Sequence, residues 1–130
     1  MYIERSIDAL LLEWKNSKSL KPLLLRGARQ VGKSWAVEHL GESFEYFIEV
    51  NFEKRPDVKG VFEKVHDVHE LANNLGMLYN RPIEPGKTLI FLDEIQDCLA
   101  AIKSLWSFKE DFPGLHVVAA GSLLEFALKE

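Results

Sequence analysis

The sequence predicts an α/β protein built around a parallel β-sheet. Segments with strand character alternate with segments of helical spacing along the 130 residues, and such alternation produces right-handed βαβ units. A glycine-rich turn at 27–34 joins the first predicted strand to a helix, and an acidic pair follows the third strand. Internal repeats, low-complexity segments and linkers are absent from the sequence, so we expect a single domain over residues 1–130.

The chain begins with a predicted helix and a short strand. Residues 6–16 carry an apolar stripe at helical spacing, formed by Ile7, Leu10, Leu11 and Trp14, and we expect this helix to extend over 4–17. The run "LLLRG" that follows Pro22 is continuous and apolar, as is typical of a strand buried on both faces. It starts a core that we expect to cover residues 21–130.

A second helix and a second strand follow. Residues 33–41 have helical character, and we expect Gly41 to adopt a left-handed backbone just past the helix end, where a missing Cβ is favourable. The segment "FEYFIEVNF" at 44–52 alternates in polarity and is rich in aromatic and β-branched residues. This composition predicts the second strand.

The second half of the chain has the same alternation. Residues 56–80 are predicted to be helical, with Asp67 and Glu70 as a capping box and a buried stripe of Val68, Leu71, Leu75 and Leu78. The remaining predicted elements are a strand at 88–93, a helix at about 97–108, a strand at 116–121 and a helix at 122–130.

Composition excludes several classes of protein. The net charge is −4 and no basic run is present, so the sequence offers no clear nucleic-acid surface. The longest apolar stretches are far shorter than the roughly 18 residues that a membrane span needs. Cys98 is the only cysteine, which precludes an internal disulfide and fits a reducing cytoplasm.

The turn "GARQVGKS" matches the pattern G-x-x-x-x-G-K-[ST], with a buried strand before it and a helix after it. We call residues 27–34 the phosphate loop. Its glycines let backbone N–H groups surround phosphates, the helix N-terminus adds partial positive charge, and Lys33 adds a full charge. Ser34 offers a hydroxyl to Mg²⁺, so these residues predict a nucleotide-binding site.

The segment "TLIFLDE" supplies two carboxylates at the end of the third strand. Asp93 is placed to hold Mg²⁺ together with Ser34. Glu94 follows it and is placed to deprotonate a water beyond the γ-phosphate, which favours hydrolysis over transfer to a metabolite. Ser122 follows the fourth strand, which we expect to lie between two others. There it either senses the γ-phosphate or caps the last helix.

Together, "PLLLRGARQVGKS", "NFE", "GKTLIFLDEIQ" and "AAGS" resemble the ATPase domain of a prokaryotic AAA-type family that carries a C-terminal domain of unknown function. The resemblance implies a P-loop NTPase fold of three α/β/α layers, with four strands present and a fifth missing through truncation. It implies ATP or ADP and Mg²⁺ as ligands, with Gln96 in the working site. It also implies coupling to a missing C-terminal domain or a protein partner, with a homo-oligomer as a further possibility.

The resemblance assigns roles to individual residues. Glu94, Lys33 and Ser122 are the catalytic candidates, and Ser34 and Asp93 are the metal candidates. Arg29 and Gln30 either contact the nucleotide or face a partner subunit. The candidate nucleotide-binding residues are Gly27, Ala28, Arg29, Gln30, Val31, Gly32, Lys33, Ser34 and Trp35.

Two features depart from the family pattern: the residue after Ser34, and the end of the sequence eight residues after Ser122, where members of the family continue. Trp35 stands after Ser34 where relatives have apolar residues; it packs in the core, which we favour, or lies near the base or ribose. All the arginines precede the third strand, so no downstream arginine can neutralise transition-state charge and we expect slow hydrolysis by this piece alone. The alternative to an ATPase is a nucleotide-dependent interaction switch that turns over rarely.

Overall fold

The computed structural model describes residues 6–26 and 31–121, with the backbone alone at 26 and 31–33. Four strands form one sheet: β1 (Leu23–Arg26), β2 (Tyr46–Asn51), β3 (Thr88–Asp93) and β4 (His116–Gly121). All neighbouring pairs are parallel, and the order across the sheet is β1-β4-β3-β2. The predicted parallel sheet is confirmed, as is the expectation that β4 lies between two other strands.

Five helices complete the described part of the chain. They are α1 (Ser6–Lys15), α2 (Val31–Gly41), α3 (Lys59–Lys64), α4 (Val68–Tyr79) and α5 (Leu99–Asp111). Short 3₁₀ turns at Pro56–Val58 and Ile95–Asp97 precede α3 and α5. The predicted final helix at 122–130 lies outside the described residues.

The helices cover both faces of the sheet. One apolar cluster joins α1 and α2 to the sheet through residues such as Leu11, Val37 and Phe91. The other joins α3, α4 and α5 to the opposite face, with Phe52, Leu75 and Phe108 among its members. Alternating residues of β3 therefore enter different clusters, because successive side chains of a strand point to opposite faces. The three-layer α/β/α arrangement is confirmed.

The predicted helix at 56–80 is wrong as one continuous element. The backbone is extended at Val65, and α4 begins anew after Asp67. The carboxylate of Asp67 accepts hydrogen bonds from the backbone N–H groups of His69, at 2.8 Å, and Glu70, at 3.4 Å. Asp67 is therefore the N-cap predicted from the sequence, and the cap is the physical reason for a new helix start at this point.

Two of the predicted apolar stripes each contain one residue whose side chain is exposed to solvent. Leu10 of α1 is 49% exposed and Leu78 of α4 is 46% exposed, so the assignment of Leu78 to a buried stripe is wrong and the apolar stripe of α1 is only partly covered. On α4, Ala72 is buried instead. Helical spacing locates the apolar face of a helix, whereas the neighbouring elements decide how much of that face they cover.

The role predicted for Gly41 is also wrong. Gly41 is the last residue of α2, and it is absent from the left-handed residues of the described chain. A Cβ at this position would lie 2.8 Å from the ring of Phe47. Close approach of a neighbouring ring, rather than a left-handed backbone, is therefore the reason that glycine fits here.

Candidate functional site

The carboxyl ends of the four parallel strands meet at one edge of the sheet. In the register of the sheet Asn51 is opposite Asp93, Asp93 is opposite Ala120, and Arg26 is opposite Gly121. Helix α2 starts at Val31, shortly after the end of β1. In open α/β sheets this edge is the usual position of a ligand site.

Ser34 and Asp93 are in direct contact at this edge. Ser34 lies in the first turn of α2, and its Oγ donates a hydrogen bond of 3.1 Å to Oδ2 of Asp93. The other carboxylate oxygen, Oδ1, accepts the backbone N–H of Glu94 at 2.9 Å. The two residues are 59 positions apart in sequence, so the fold alone brings them together.

The Ser34–Asp93 pair suits a hard divalent cation. Asp93 is only 7% exposed, and its carboxylate accepts hydrogen bonds from the hydroxyl of Ser34 and the backbone N–H of Glu94. A hydroxyl and a carboxylate are the oxygen ligands that Mg²⁺ takes from proteins, usually one or two at a time, with waters and phosphates completing the shell. The donors present therefore fit the metal that the sequence predicts.

Glu94 has an unusual backbone. Its φ of 54° and ψ of 44° place it in the left-handed region, which costs a non-glycine residue roughly 1–2 kcal/mol. The carbonyl of Glu94 accepts the N–H of Asp97 at 3.1 Å, and this bond closes the following 3₁₀ turn. Residues held in this region cluster at functional sites, where surrounding contacts maintain the strain.

The side chain of Glu94 is buried as well. It is 8% exposed, and its Oε2 lies 3.5 Å from Nε2 of Gln96. Asp93 and Glu94 thus form two buried carboxylates at one strand end, Asp93 in contact with Ser34 and Glu94 near Gln96. Different surroundings are what allow neighbouring carboxylates to take different chemical roles.

Sequence reasoning missed a third acidic residue beside the site. Glu49 lies on β2 two residues before Asn51, so both share one face of the sheet. Burial and a hydrogen bond to Glu38 of α2 raise the pKa of Glu49 from its ordinary 4.5 to about 7, and the charge of Asp93 contributes. The sequence feature that could have revealed Glu49 is an acidic residue between the apolar residues of a strand.

We expect the Glu49→Gln variant to be more stable than the wild type at pH 8 and equally stable at pH 4.5. A raised carboxyl pKa in the folded state means that stability is fully present below pH 4.5 and is lost as the pH rises through about 7. For this half-buried group the loss is about 1–2 kcal/mol after solvent screening. Urea unfolding at several pH values measures the difference.

The matched control is Glu45→Gln, at an exposed glutamate just before the same strand. It removes the same charge at a residue that makes no contribution to the pKa of Glu49. The prediction would be contradicted if the difference in the free energy of unfolding between wild type and Glu49→Gln stayed constant over pH 4.5–8.

The structure brings together only part of the predicted nucleotide site. Val31, Gly32 and Lys33 form the first residues of α2, directly before Ser34. Gly27, Ala28, Arg29 and Gln30 lie outside the described residues, and so does Ser122.

Trp35 differs from the favoured prediction. Its side chain is 44% exposed, so the interpretation as a core tryptophan is wrong. It follows Ser34 on α2, whose apolar contacts with the sheet come from the next residues, Ala36 and Val37. The helix therefore presents Trp35 away from the buried face, and a nucleotide contact stays a prediction.

The sequence pattern of the phosphate loop stands directly before α2, and Ser34 contacts an aspartate at the end of β3, a parallel strand that is not adjacent to β1. This combination is typical of the class of P-loop nucleotide-binding domains. The chain belongs to the AAA domain family, whose family model matches residues 19–130. Membership of this family indicates a nucleotide-binding domain of ATPase type. No curated protein matches the chain. Within the ranges 6–26 and 31–121, no helix is sufficiently long and apolar to cross a membrane.

Proposed function

We propose that this domain binds ATP with Mg²⁺ at the carboxyl edge of its sheet and hydrolyses the γ-phosphate. The observation that carries the proposal is the 3.1 Å contact between Ser34 and Asp93. It joins the last residue of the phosphate loop to the end of β3, directly before Glu94. One short contact thus connects the residues for binding phosphate to a candidate general base.

The binding half of the proposal rests on the start of α2. The first backbone N–H groups of a helix have no partner within the helix and favour anions. Lys33 stands in this first turn and contributes a positive charge to the triphosphate. Ser34 and Asp93 are the residues that would hold Mg²⁺, which, when bound, neutralises charge on the β- and γ-phosphates.

The chemical half rests on Glu94. Its carboxylate takes one proton from a water molecule, whose oxygen then bonds to the γ-phosphorus as the bond to the bridging oxygen of ADP breaks. The proton then leaves Glu94 for the phosphate product. The left-handed backbone and the 3₁₀ turn give Glu94 a fixed direction before substrate arrives, which is the type of preorganisation that catalysis requires.

Hydrolysis is coupled to a conformational change in a further domain or in a protein partner, and a second copy of this chain is one candidate partner. The cytoplasm is the compartment in which we expect the protein to work. Ser122 and Trp35 are proposed to contact the γ-phosphate and the nucleoside, respectively.

Calorimetric titration with ATP and with ADP in the presence of Mg²⁺ tests the binding half. We expect saturable binding by the wild type and affinity at least about tenfold weaker in Lys33→Ala, because a hydrogen bond to a charged group contributes about 1.5–3 kcal/mol.

The control is Lys109→Ala, at an exposed lysine of α5 remote in sequence from the phosphate loop. It should bind both nucleotides like the wild type. Equal affinity of wild type and Lys33→Ala for ATP would exclude the phosphate loop as the binding site.

A further inference from the structure

The side chain of Gln96 has one partnered end and one unpartnered end. Its Nε2 is 3.5 Å from Oε2 of Glu94, at the outer limit of a hydrogen bond. Its Oε1 is completely buried and has no hydrogen-bond partner in the described part of the chain. Gln96 is the middle residue of the 3₁₀ turn at Ile95–Asp97.

A buried amide oxygen without a hydrogen-bond donor destabilises the folded protein. Leaving a buried acceptor without a donor costs about 1–3 kcal/mol, and native proteins rarely retain such groups without a reason. The cost disappears when a donor arrives, and water is the smallest one. Because Nε2 of the same amide lies 3.5 Å from Oε2 of Glu94, a water bonded to Oε1 of Gln96 would be close to the Glu94 carboxylate. Oε1 is closed to solvent in the described chain, so the water enters only when the surroundings of the turn shift on nucleotide binding.

A water that attacks phosphorus has two protons to place. Glu94 takes one of them in the function proposed above. The second needs an acceptor that holds the water in line without removing the proton, and a neutral amide oxygen has this property whereas a carboxylate does not. Gln96 is the neutral amide that the structure places beside Glu94.

We propose that Gln96 positions the attacking water: its Nε2 orients the Glu94 carboxylate, and its Oε1 accepts the second proton of the water as a hydrogen bond. The inference rests on the proposed ATP hydrolysis. It makes Gln96 a residue of the chemical step, with no part in holding the nucleotide.

The test is Gln96→Met, which keeps the length and shape of the side chain and removes both the donor and the acceptor. We expect the single-turnover rate of ATP hydrolysis to fall about tenfold or more, with ADP affinity within twofold of the wild type. The affinity for ADP with aluminium fluoride, which imitates the transferring phosphoryl group, should fall in parallel with the rate.

The matched control is Asp97→Asn, an exposed residue in the same turn. It should leave the rate, the ADP affinity and the aluminium fluoride complex unchanged. Thermal unfolding of all variants separates loss of function from loss of fold.

The outcomes distinguish this inference from the function on which it rests. A wild-type rate with Gln96→Met, or a loss of ADP affinity equal to the loss of rate, overturns the role of Gln96 while hydrolysis itself stands. Absence of hydrolysis in the wild type overturns both.

Discussion

Replacing Glu94 with glutamine is expected to slow ATP hydrolysis by about a hundredfold or more while ATP binding is retained. General-base catalysis contributes about 10²–10⁴ to a rate, and the amide cannot accept the proton of the attacking water. The amide has the same shape as the carboxylate, so the buried position, 8% exposed, should accommodate it. Phosphate release under single-turnover conditions and ATP titration measure the two effects separately.

Glu110→Gln is the control for this experiment, because Glu110 is exposed on α5 and far in sequence from the strand end. It should hydrolyse ATP at the wild-type rate. Equal and slow phosphate release by wild type and Glu94→Gln, with tight nucleotide binding in both, would contradict the ATPase proposal. That result would identify the domain as a nucleotide-dependent interaction switch.

Truncation of Phe52 to alanine is expected to lower the free energy of unfolding by about 3–5 kcal/mol, the usual cost of removing a buried phenylalanine. Phe52 is fully buried, and its ring packs edge-to-face on Phe62 with centroids 5.3 Å apart. Its backbone N–H also donates to the carbonyl of Asp93 at 3.1 Å. Because native domains are only marginally stable, at about 5–15 kcal/mol, this loss is large.

Urea denaturation measures the effect, with Trp106→Ala as the comparison. Trp106 is a larger side chain that is 67% exposed and contacts Lys109 through its ring. Its truncation should cost about 1 kcal/mol or less. Similar losses for Phe52→Ala and Trp106→Ala would refute the assignment of Phe52 to the core.

The strands could be predicted from sequence because their signals are local. The strands at 88–93 and 116–121 are short apolar runs, and all their residues are buried. A strand buried on both faces carries apolar side chains at successive positions through its centre, and this pattern is visible without knowledge of its neighbours. The cap at Asp67 was predictable for the same reason, since its partners lie two and three residues away.

The extent to which neighbouring elements bury the apolar residues of each helix could not be predicted in this way. Leu10, Trp35 and Leu78 are large apolar residues that remain substantially exposed. Hydrophobic spacing indicates a face, but burial depends on which other elements pack on that face. The break between α3 and α4 could not be predicted for a similar reason. Apolar residues occur on both sides of Val65, so their spacing does not indicate that the backbone is extended there.

The sequence by itself determined the chemical groups and their local positions: a phosphate loop before α2, Asp93 and Glu94 at the end of β3, and an acidic residue within β2. The tertiary structure alone decided which groups meet. It placed Ser34 against Asp93, paired Glu49 with Glu38 and buried the amide oxygen of Gln96 without a partner among the residues that the structure describes. Helix and strand patterns reflect interactions between near neighbours in the chain, whereas desolvation and charge coupling depend on distances in space, which only the packed fold sets.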